Sequence, residues 1–528
     1  MSSVRHILVN RVVGVYFDLC SAGWPDLVIK SVVSIHRSIQ ARSNIYLKAI
    51  LVLSFFLTSA VTSLAQKQAN IWYFGRNAGL DFRSGNPVAI VDGSLNTIEG
   101  SASISDEEGN LLFYTDGVSV WNRLHQIMPN GNNLWGSNTT TQTLIVPKPG
   151  FESIYYLFTA SPQHDYVFGE GTDSVGFHYS TVDMKQDSHL GDVVMKNTLL
   201  FRNTTEKVSA VHHLNKKDIW IVGHEWNSNI FRAYLLTENG LLTEPVLNSV
   251  GQVHDDTNEP FQVVHLHTLG QMKLSSDGTK VAVALSGKNL IEIFEFDSSS
   301  GLLDIPFARV DSETNDLADG YLYGLEFSPS SESLFYTQSQ FHCGNNEHPA
   351  KIFQYIFETK ETLLVGEFPG SLNAMQLGPD GKIYVALCND LAGQSNYMGV
   401  INFPERRGKA CEFTTDQVDL KSGKNYLGLP NFVQSWFHFP DPVVEMPNVF
   451  TPNDDSFNPT FMPSRFENII AAEMRIFNRW GEEIFCTYDP MEGWNGASAS
   501  PGVYYWTLRY EGRNGKNGEQ KGWVSLIM

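Results

Sequence analysis

In the stretch VVHLHTLG, His265 and His267 stand two residues apart. On a strand that spacing puts both imidazoles on one face, as two ligands of a metal ion require. The same pair fits ordinary packing in an aromatic-rich β protein equally well. A second stretch, HHLNKKDIWIVGHEWN, carries His212, His213, His224 and Glu225. Two acidic loops, HDDTNEP (254 to 260) and DSETNDLADG (311 to 320), offer oxygen ligands to Ca2+. Neither loop follows the twelve-position EF-hand order, so solvated loops are the plainer reading and no cofactor is expected. No G-x-S-x-G elbow and no nucleophile with its base stand out, which leaves catalysis without support from motifs. Trp121 and Trp135 lie in polar surroundings rich in Asn, Thr and Ser. A flat indole rimmed by hydrogen-bonding groups suits glycan or protein binding, and an indole packed between sheets would look the same.

These residues must be positioned by short strands. Six segments share one plan: SISDEEGNLLFYTDG (103 to 117), VPKPGFESIYYLFTA (146 to 160), VHHLNKKDIWIVGHE (211 to 225), KLSSDGTKVAVALSG (273 to 287), EFSPSSESLFYTQSQ (326 to 340) and QLGPDGKIYVALCND (376 to 390). Each reads as a strand, a polar turn and an alternating or wholly apolar return strand. Their spacing leaves room for four strands per copy, the period of a β-propeller whose blades bury their faces only against neighbours. NIWYFGRNAGLDF near residue 70 and YLGLPNFVQSWFHF near residue 430 fall outside the six copies. Together they could make one further blade and close the ring, giving about seven; six or eight fit the same text. Two packed β-sandwiches are the alternative architecture, though they leave a recurring hairpin unexplained. LSSDGTKVAVAL and LGPDGKIYVAL resemble the repeats of WD/YVTN-type propellers, a likeness that concerns fold only.

With 528 residues, 42% hydrophobic and 18% charged, the chain has material for more than one core. A net charge of -20 and the lack of a basic stripe argue against nucleic acid as partner. Five cysteines without a C-x-x-C pair exclude a zinc knuckle and a dense disulfide framework, while Cys343, Cys388 and Cys411 are close enough for one bridge. LKAILVLSFFLTSAVTSLAQ (47 to 66) has a short apolar run and small residues at Ser63 and Ala65, the pattern of a signal peptide cleaved after Ala65. That run is too short to span a bilayer, so no stable transmembrane helix is expected in the mature chain. Residues 1 to 46 form an unusual extension before it, which a start near Leu47 would remove.

Pro440, Pro442 and Pro447 mark a linker, and from Asn448 the text reads as about seven short strands, the size of a small immunoglobulin-like β-sandwich. In EMRIFNRWGEEIF, Met474 and Ile476 alternate with Glu473 and Arg475, Gly481 permits a turn, and Trp480 is expected to pack. The ordered set PNVFTPNDDSFNPTF, IFNRWGEEIF, GWNG, PGVYYWTLRY and KGWVSLIM resembles the gliding motility-associated C-terminal domain, the type B sorting domain of the type IX secretion system. The resemblance rests on Asn448, Phe450, Pro452, Asn453, Asp455, Asn478, Arg479, Trp480, Gly481, Trp494, Gly496, Gly502 and Tyr504. Asp454, Ser456 and Pro459 depart from the family's glycine-rich first motif, so a polar turn capped by Asn453 and Asp455 is preferred there to a cation loop.

The expected organisation is therefore all-β: an extension and signal peptide to residue 65, a β-propeller over 66–440, and a sorting domain over 441–528. The resemblance implies passage through the periplasm by way of the type IX machinery to the outer surface or the medium. For the ring, the preferred expectation is a non-catalytic protein binding an extracellular glycan or protein, linked to adhesion or gliding; the alternative is a secreted hydrolase or lactonase that uses a divalent cation.

Overall fold

A computed structural model describes residues 67–137, 142–161, 175–255, 268–311, 320–340, 348–389, 394–453, 458–497 and 499–527. The segment 47–66, His265, His267 and Asp455 lie outside the described residues, and so does most of each acidic loop.

The protein is all-β and made of many small sheets. Up to residue 419 they follow one another along the chain, each antiparallel. Sheet 1 holds β1 (Ile71–Phe74), β2 (Ala78–Asp81) and β3 (Val88–Ile90); sheet 2 holds β4 (Ala102–Ser105), β5 (Leu111–Thr115) and β6 (Val120–Asn122). Sheet 3 holds β7 (Thr143–Pro147), β8 (Ile154–Ala160), β9 (Phe177–Asp183) and β10 (Asp192–Phe201). Sheet 4 holds β11 (Thr204–His212), β12 (Ile219–Glu225), β13 (Ile230–Thr237), β14 (Gly240–Leu241) and β15 (Val246–Ser249). Sheet 5 holds β16 (Met272–Leu274), β17 (Lys280–Leu285), β18 (Leu290–Asp297) and β19 (Leu302–Asp311). Sheet 6 holds β20 (Tyr321–Phe327), β21 (Ser333–Ser339), β22 (Ala350–Ile356) and β23 (Glu361–Phe368). Sheet 7 holds β24 (Ser371–Leu377), β25 (Ile383–Cys388), β26 (Tyr397–Ile401) and β27 (Phe413–Asp419).

The six repeated hairpins are the first two strands of sheets 2 to 7. Their turns use the expected chemistry: Gly278 and Gly381 adopt φ of +72° and +81°, which a side chain would strain. The first strand of each sheet lies against the first strand of the next, from β1 through β24, a propeller-like succession. β11, β20 and β24 are accordingly buried along nearly their whole length, whereas β10, β19 and β27 keep many exposed residues. Apolar layers fill the gaps between sheets. Val211, Trp220 and Phe231 of sheet 4 meet Met272, Val281 and Phe294 of sheet 5, and the other face of sheet 5 packs Ile291 and Ile293 against Leu325 and Tyr336 of sheet 6.

The segment after β27 differs from the expectation that it shares a blade with residues 70–82. Those N-terminal residues make their own sheet with β3, and among the described residues 424–437 pair with its backbone only through the bridge of Arg76 with Lys424. The reason is that the segment's amides and carbonyls are spent on other sheets. Leu427 N donates to Ile98 O, Leu427 O accepts from Ala374 N, and Asn431 N donates to Ser101 O. Trp72 of sheet 1, Tyr384 of sheet 7 and Phe432 of the segment meet as rings 5.4 and 5.6 Å from the indole, so first and last sheets join through it.

The C-terminal part holds β28 (Val443–Glu445), β29 (Val449–Phe450), β30 (Arg465–Glu467), β31 (Ile469–Phe477), β32 (Glu483–Thr487), β33 (Gly502–Gly512) and β34 (Asn517–Leu526). β28 pairs with β30, and the other five form one sheet in the order β29-β34-β33-β31-β32, with β29 parallel to β34. Phe450, Phe461, Met474, Ile476, Trp494, Trp506, Leu508 and Val524 make its core.

Candidate functional site

The first strands of the sheets carry polar residues that their sequence context hides. Gln142, just before β7, accepts from Val208 N and Met272 N at 3.3 and 3.1 Å and donates to Met272 O at 3.0 Å, tying the entries of sheets 3, 4 and 5 together. Gln271, just before β16, does the same for sheets 6 and 7: its Oε1 accepts from Leu325 N at 3.0 Å and Met375 N at 2.8 Å. Diverging strands cannot bond each other's backbones, and a side-chain amide supplies both missing partners.

Next to these, Lys273 Nζ lies 3.1 Å from Glu326 Oε2, both side chains fully enclosed. Glu326 also accepts from Leu377 N at 2.9 Å and Phe327 N at 3.0 Å, and Lys273 donates to Gln376 Oε1. Burial pushes the Glu326 carboxyl up against the opposing pull of Lys273.

A second buried set sits where β4, β11, β16 and β20 begin. Glu99 Oε1 accepts from the Tyr323 hydroxyl at 3.1 Å, linking sheets 2 and 6 across the ring. Among the described residues its Oε2 has no hydrogen-bond partner. Burial and then the neighbouring Glu206 hold the Glu99 carboxyl well above the usual range, the Tyr323 bond opposing. Lys207 donates to Leu269 O at 2.9 Å and to Thr268 O, and burial pulls its ammonium down to about 7. His224, on β12, stacks on His254 with ring centres 3.6 Å apart and meets the edge of Phe231. Among the described residues neither ring nitrogen of His224 has a partner in good hydrogen-bond geometry, and burial first, Lys207 second, lower it to about 3 against a weaker backbone contact with Glu225.

A carboxyl held well above its usual range and an amine poised near 7, each next to Glu206, have shifts of the kind a general acid and base use. Access is what these groups lack, because the segment after β27 lies over the first strands of sheets 2 and 4. Asn431, in the segment after β27, bonds Ser101 O with its amide and Val208 O with its side chain, while Ser435 Oγ accepts from His212 N at 3.0 Å. The chain thus crosses from sheet 7 past sheets 1 and 2 to sheet 4, and Glu99 and Lys207 are almost wholly enclosed.

The residues singled out from the sequence do not converge. Trp121 is half-buried and stacks on Tyr114 at 5.5 Å, which stacks on Tyr73 at 4.5 Å. Trp135 is half-buried with its ring edge-on to His178 at 5.2 Å. Each indole thus has an aromatic neighbour, in different places. Among the described residues no three side chains of His, Cys, Asp or Glu gather as a metal site would need. His212 bonds Ser435, and His213 lies against Trp220.

In the C-terminal sheet most motif residues are structural. Phe450 and Tyr504 both contact the buried Trp494, at 5.2 and 4.9 Å, and Gly496 turns at φ +69° where a Cβ would press on Phe450 and Leu526. Asn448 O accepts from Ser525 N, fixing the parallel pairing of β29, and half-buried Pro452 and exposed Asn453 follow it. Gly502 opens β33. Asn478 Oδ1 accepts from Trp480 N and Glu482 N, and Gly481 turns at φ +80°. Trp480 departs from expectation. It is 73% exposed, because the hairpin tip projects beyond the sheet and, among the described residues, its only ring contact is the Arg479 guanidinium at 4.1 Å.

Sequence reasoning missed Gln142, Gln271, Lys273, Glu326, Glu99, Glu206 and Lys207. Their signal was a polar residue inside an otherwise apolar first strand, as in TEKVSAVH, QMKL and YGLEF.

Residues 444–526 match the CHU_C Type IX secretion signal domain. A comparison with curated proteins returns no match. Among solved structures, a Bacteroides fragilis protein described as a candidate 6-phosphogluconolactonase is similar at 12% identity and a TM-score of 0.40, over 68% of this chain and 96% of that one. A Lactobacillus plantarum protein is similar at 11% and 0.41, over 67% and 93%. The periplasmic gluconolactonase of Pseudomonas aeruginosa is similar at 11% and 0.35, over 79% and 92%. At such identities and scores these likenesses carry nothing about activity. No helix among the described residues is long and apolar enough to cross a membrane.

Proposed function

We propose that the chain is an exported protein in which a seven-bladed propeller, spanning the seven consecutive sheets, serves as a closed, non-catalytic scaffold. The small sandwich after residue 440, immunoglobulin-like in size, acts as its type IX sorting label. The observation that carries the ring's part is the filled axis. A propeller enzyme works on substrate held at its channel mouth, and here Asn431, Gln142 and Gln271 spend that space on backbone bonds between sheets. Recognition then falls to the outer surfaces, with an extracellular glycan or protein as partner. Destination at the outer surface or in the medium is supported by the secretion-signal match and by the disulfide at Cys388, a bond that persists in oxidising compartments.

The rival reading, a hydrolase or lactonase, is favoured by one observation, the buried Glu99 oxygen beside Glu206 that has no hydrogen-bond partner among the described residues. Purified full-length protein, screened with sugar lactones with and without Ca2+ and Zn2+, separates the two. The expected result is no turnover. Turnover that Glu99→Gln abolishes without lowering Tm would establish the hydrolase instead.

A further inference from the structure

The outer face of the C-terminal sheet is divided. Toward one end its cross-strand rows are charged or polar: Glu473, Arg509 and Glu519 stand opposite one another, then Arg475, Thr507 and Lys521. The next row is Phe477, Tyr505 and Trp523, on three adjacent strands. Tyr505 is 52% and Trp523 51% exposed, with Val503 beside them at 48%. The hydrophobic core lies on the opposite face and takes Ile476, Trp506 and Val524, so this row is no part of it. It runs into the hairpin tip where Trp480 stands exposed with Arg479 across its ring.

A sheet face turned only to water has no need of three aromatic rings in one row, and its own neighbouring rows show the ordinary solution. Aromatic side chains with arginine at the margin are what buried centres of protein interfaces use. The charges say more. Arg475 is neutralised by Glu473 and Glu483 at 2.6 and 3.0 Å. Arg479 and Lys521 form no ion pair among the described residues, leaving two cations flanking the row in a chain of net charge -20.

We propose that this surface, Trp480, Phe477, Tyr505 and Trp523 bordered by Arg479 and Lys521, is where the export apparatus grips the label, and that its partner is an apolar protein surface edged with carboxylates. The proposal rests on reading residues 444–526 as a sorting module. The row fixes register along the sheet, and the two cations select an acidic rim.

The test compares export of full-length protein in a host with a working type IX system. Tyr505→Thr with Trp523→Thr gives the row the residue that Thr507 already supplies next door. The expected result is at least a tenfold fall in the extracellular fraction, with folded protein of unchanged Tm retained in the periplasm. Trp480→Ser with Arg479→Glu, confined to the exposed tip, is expected to do the same and keeps the test decisive should the first pair destabilise the sheet. A chain ending at residue 440 is run alongside. If that truncation is retained while both double variants are exported normally, the surface is wrong and the sorting reading stands; if the truncation is exported, both fall. Loss of glycan binding or of self-association by the variants with export intact would likewise assign the row to another partner.

Discussion

His224 shows how far burial can impose a charge state. Its ring stacks on His254 and meets Phe231 edge-on, neither nitrogen has a partner in good hydrogen-bond geometry among the described residues, and its pKa falls to about 3. An unfolded histidine titrates near 6.5, so between about pH 6.5 and 3 the unfolded chain binds a proton that the folded chain refuses. Stability is therefore lost as pH drops through that window. His224→Phe removes both the titration and a buried N–H without an acceptor, which costs about 1–3 kcal/mol. The expected outcome is a Tm equal to or above that of the parent at pH 7 and a smaller fall between pH 7 and 4.5, read by thermal melts. An unchanged pH slope would mean that the imidazole is solvated or charged in the folded state. No spacing pattern announced this role: IVGHE reads as a strand end, and the ring is enclosed by residues distant in sequence such as His254.

At the scale of elements, the segment after β27 has the largest leverage because it binds several sheets at once. Gly428 passes so close to β4's approach that a Cβ would sit 1.7 Å from Glu99 O and 2.2 Å from Glu99 C, both backbone atoms that cannot swing aside. Gly428→Ala must therefore push the segment off the axis, and we expect a loss of about 3 kcal/mol or more in urea unfolding, at the high end of overpacking costs. Gly85 is the control: its φ of +87° strains an alanine, but nothing lies within 4 Å, so Gly85→Ala should cost only about 1 kcal/mol. Equal losses at the two sites would show that the segment is not clamped. The repeated hairpins were legible beforehand because their turns and apolar alternation are local. The outer strands and this segment were not. β10, DVVMKNTLLF, has three register shifts against β9 that destroy a period of two, and residues 424–437 bond to partners hundreds of positions away, which no local pattern encodes. The axial glutamines and carboxylates were hidden for the same reason, since their value lies in which strands converge on them.

For the whole molecule, the question is whether the C-terminal sheet hangs freely from its proline linker or is seated on the ring. Asp441 accepts from Lys516 Nζ at 2.9 Å and from Asn514 Nδ2 at 2.7 Å, which pins the linker to the β33–β34 turn. Glu405, between β26 and β27, accepts from Ser330 N at 2.7 Å and Ser330 Oγ at 2.6 Å, and Gly515 of that same turn approaches so closely that a Cβ would lie 2.0 Å from Glu405 Cγ. Gly515 also turns at φ +74°, so Gly515→Ala should unseat the sheet while leaving both cores intact. Burial pushes the Glu405 carboxyl up to about 7, the Ser330 bonds opposing. A carboxyl raised on folding stabilises fully below its unfolded value near 4.5, and that contribution is lost as pH climbs through about 7. Limited proteolysis of the linker, residues 438–443, should consequently be slow at pH 5.5 and faster at pH 8. Gly515→Ala should cleave quickly at both, and Glu405→Gln should remove the pH dependence while keeping cleavage slow. Rapid cleavage of the parent at both pH values would mean that the label rides on a free tether, and its aromatic row would then be offered to the export apparatus in no fixed direction.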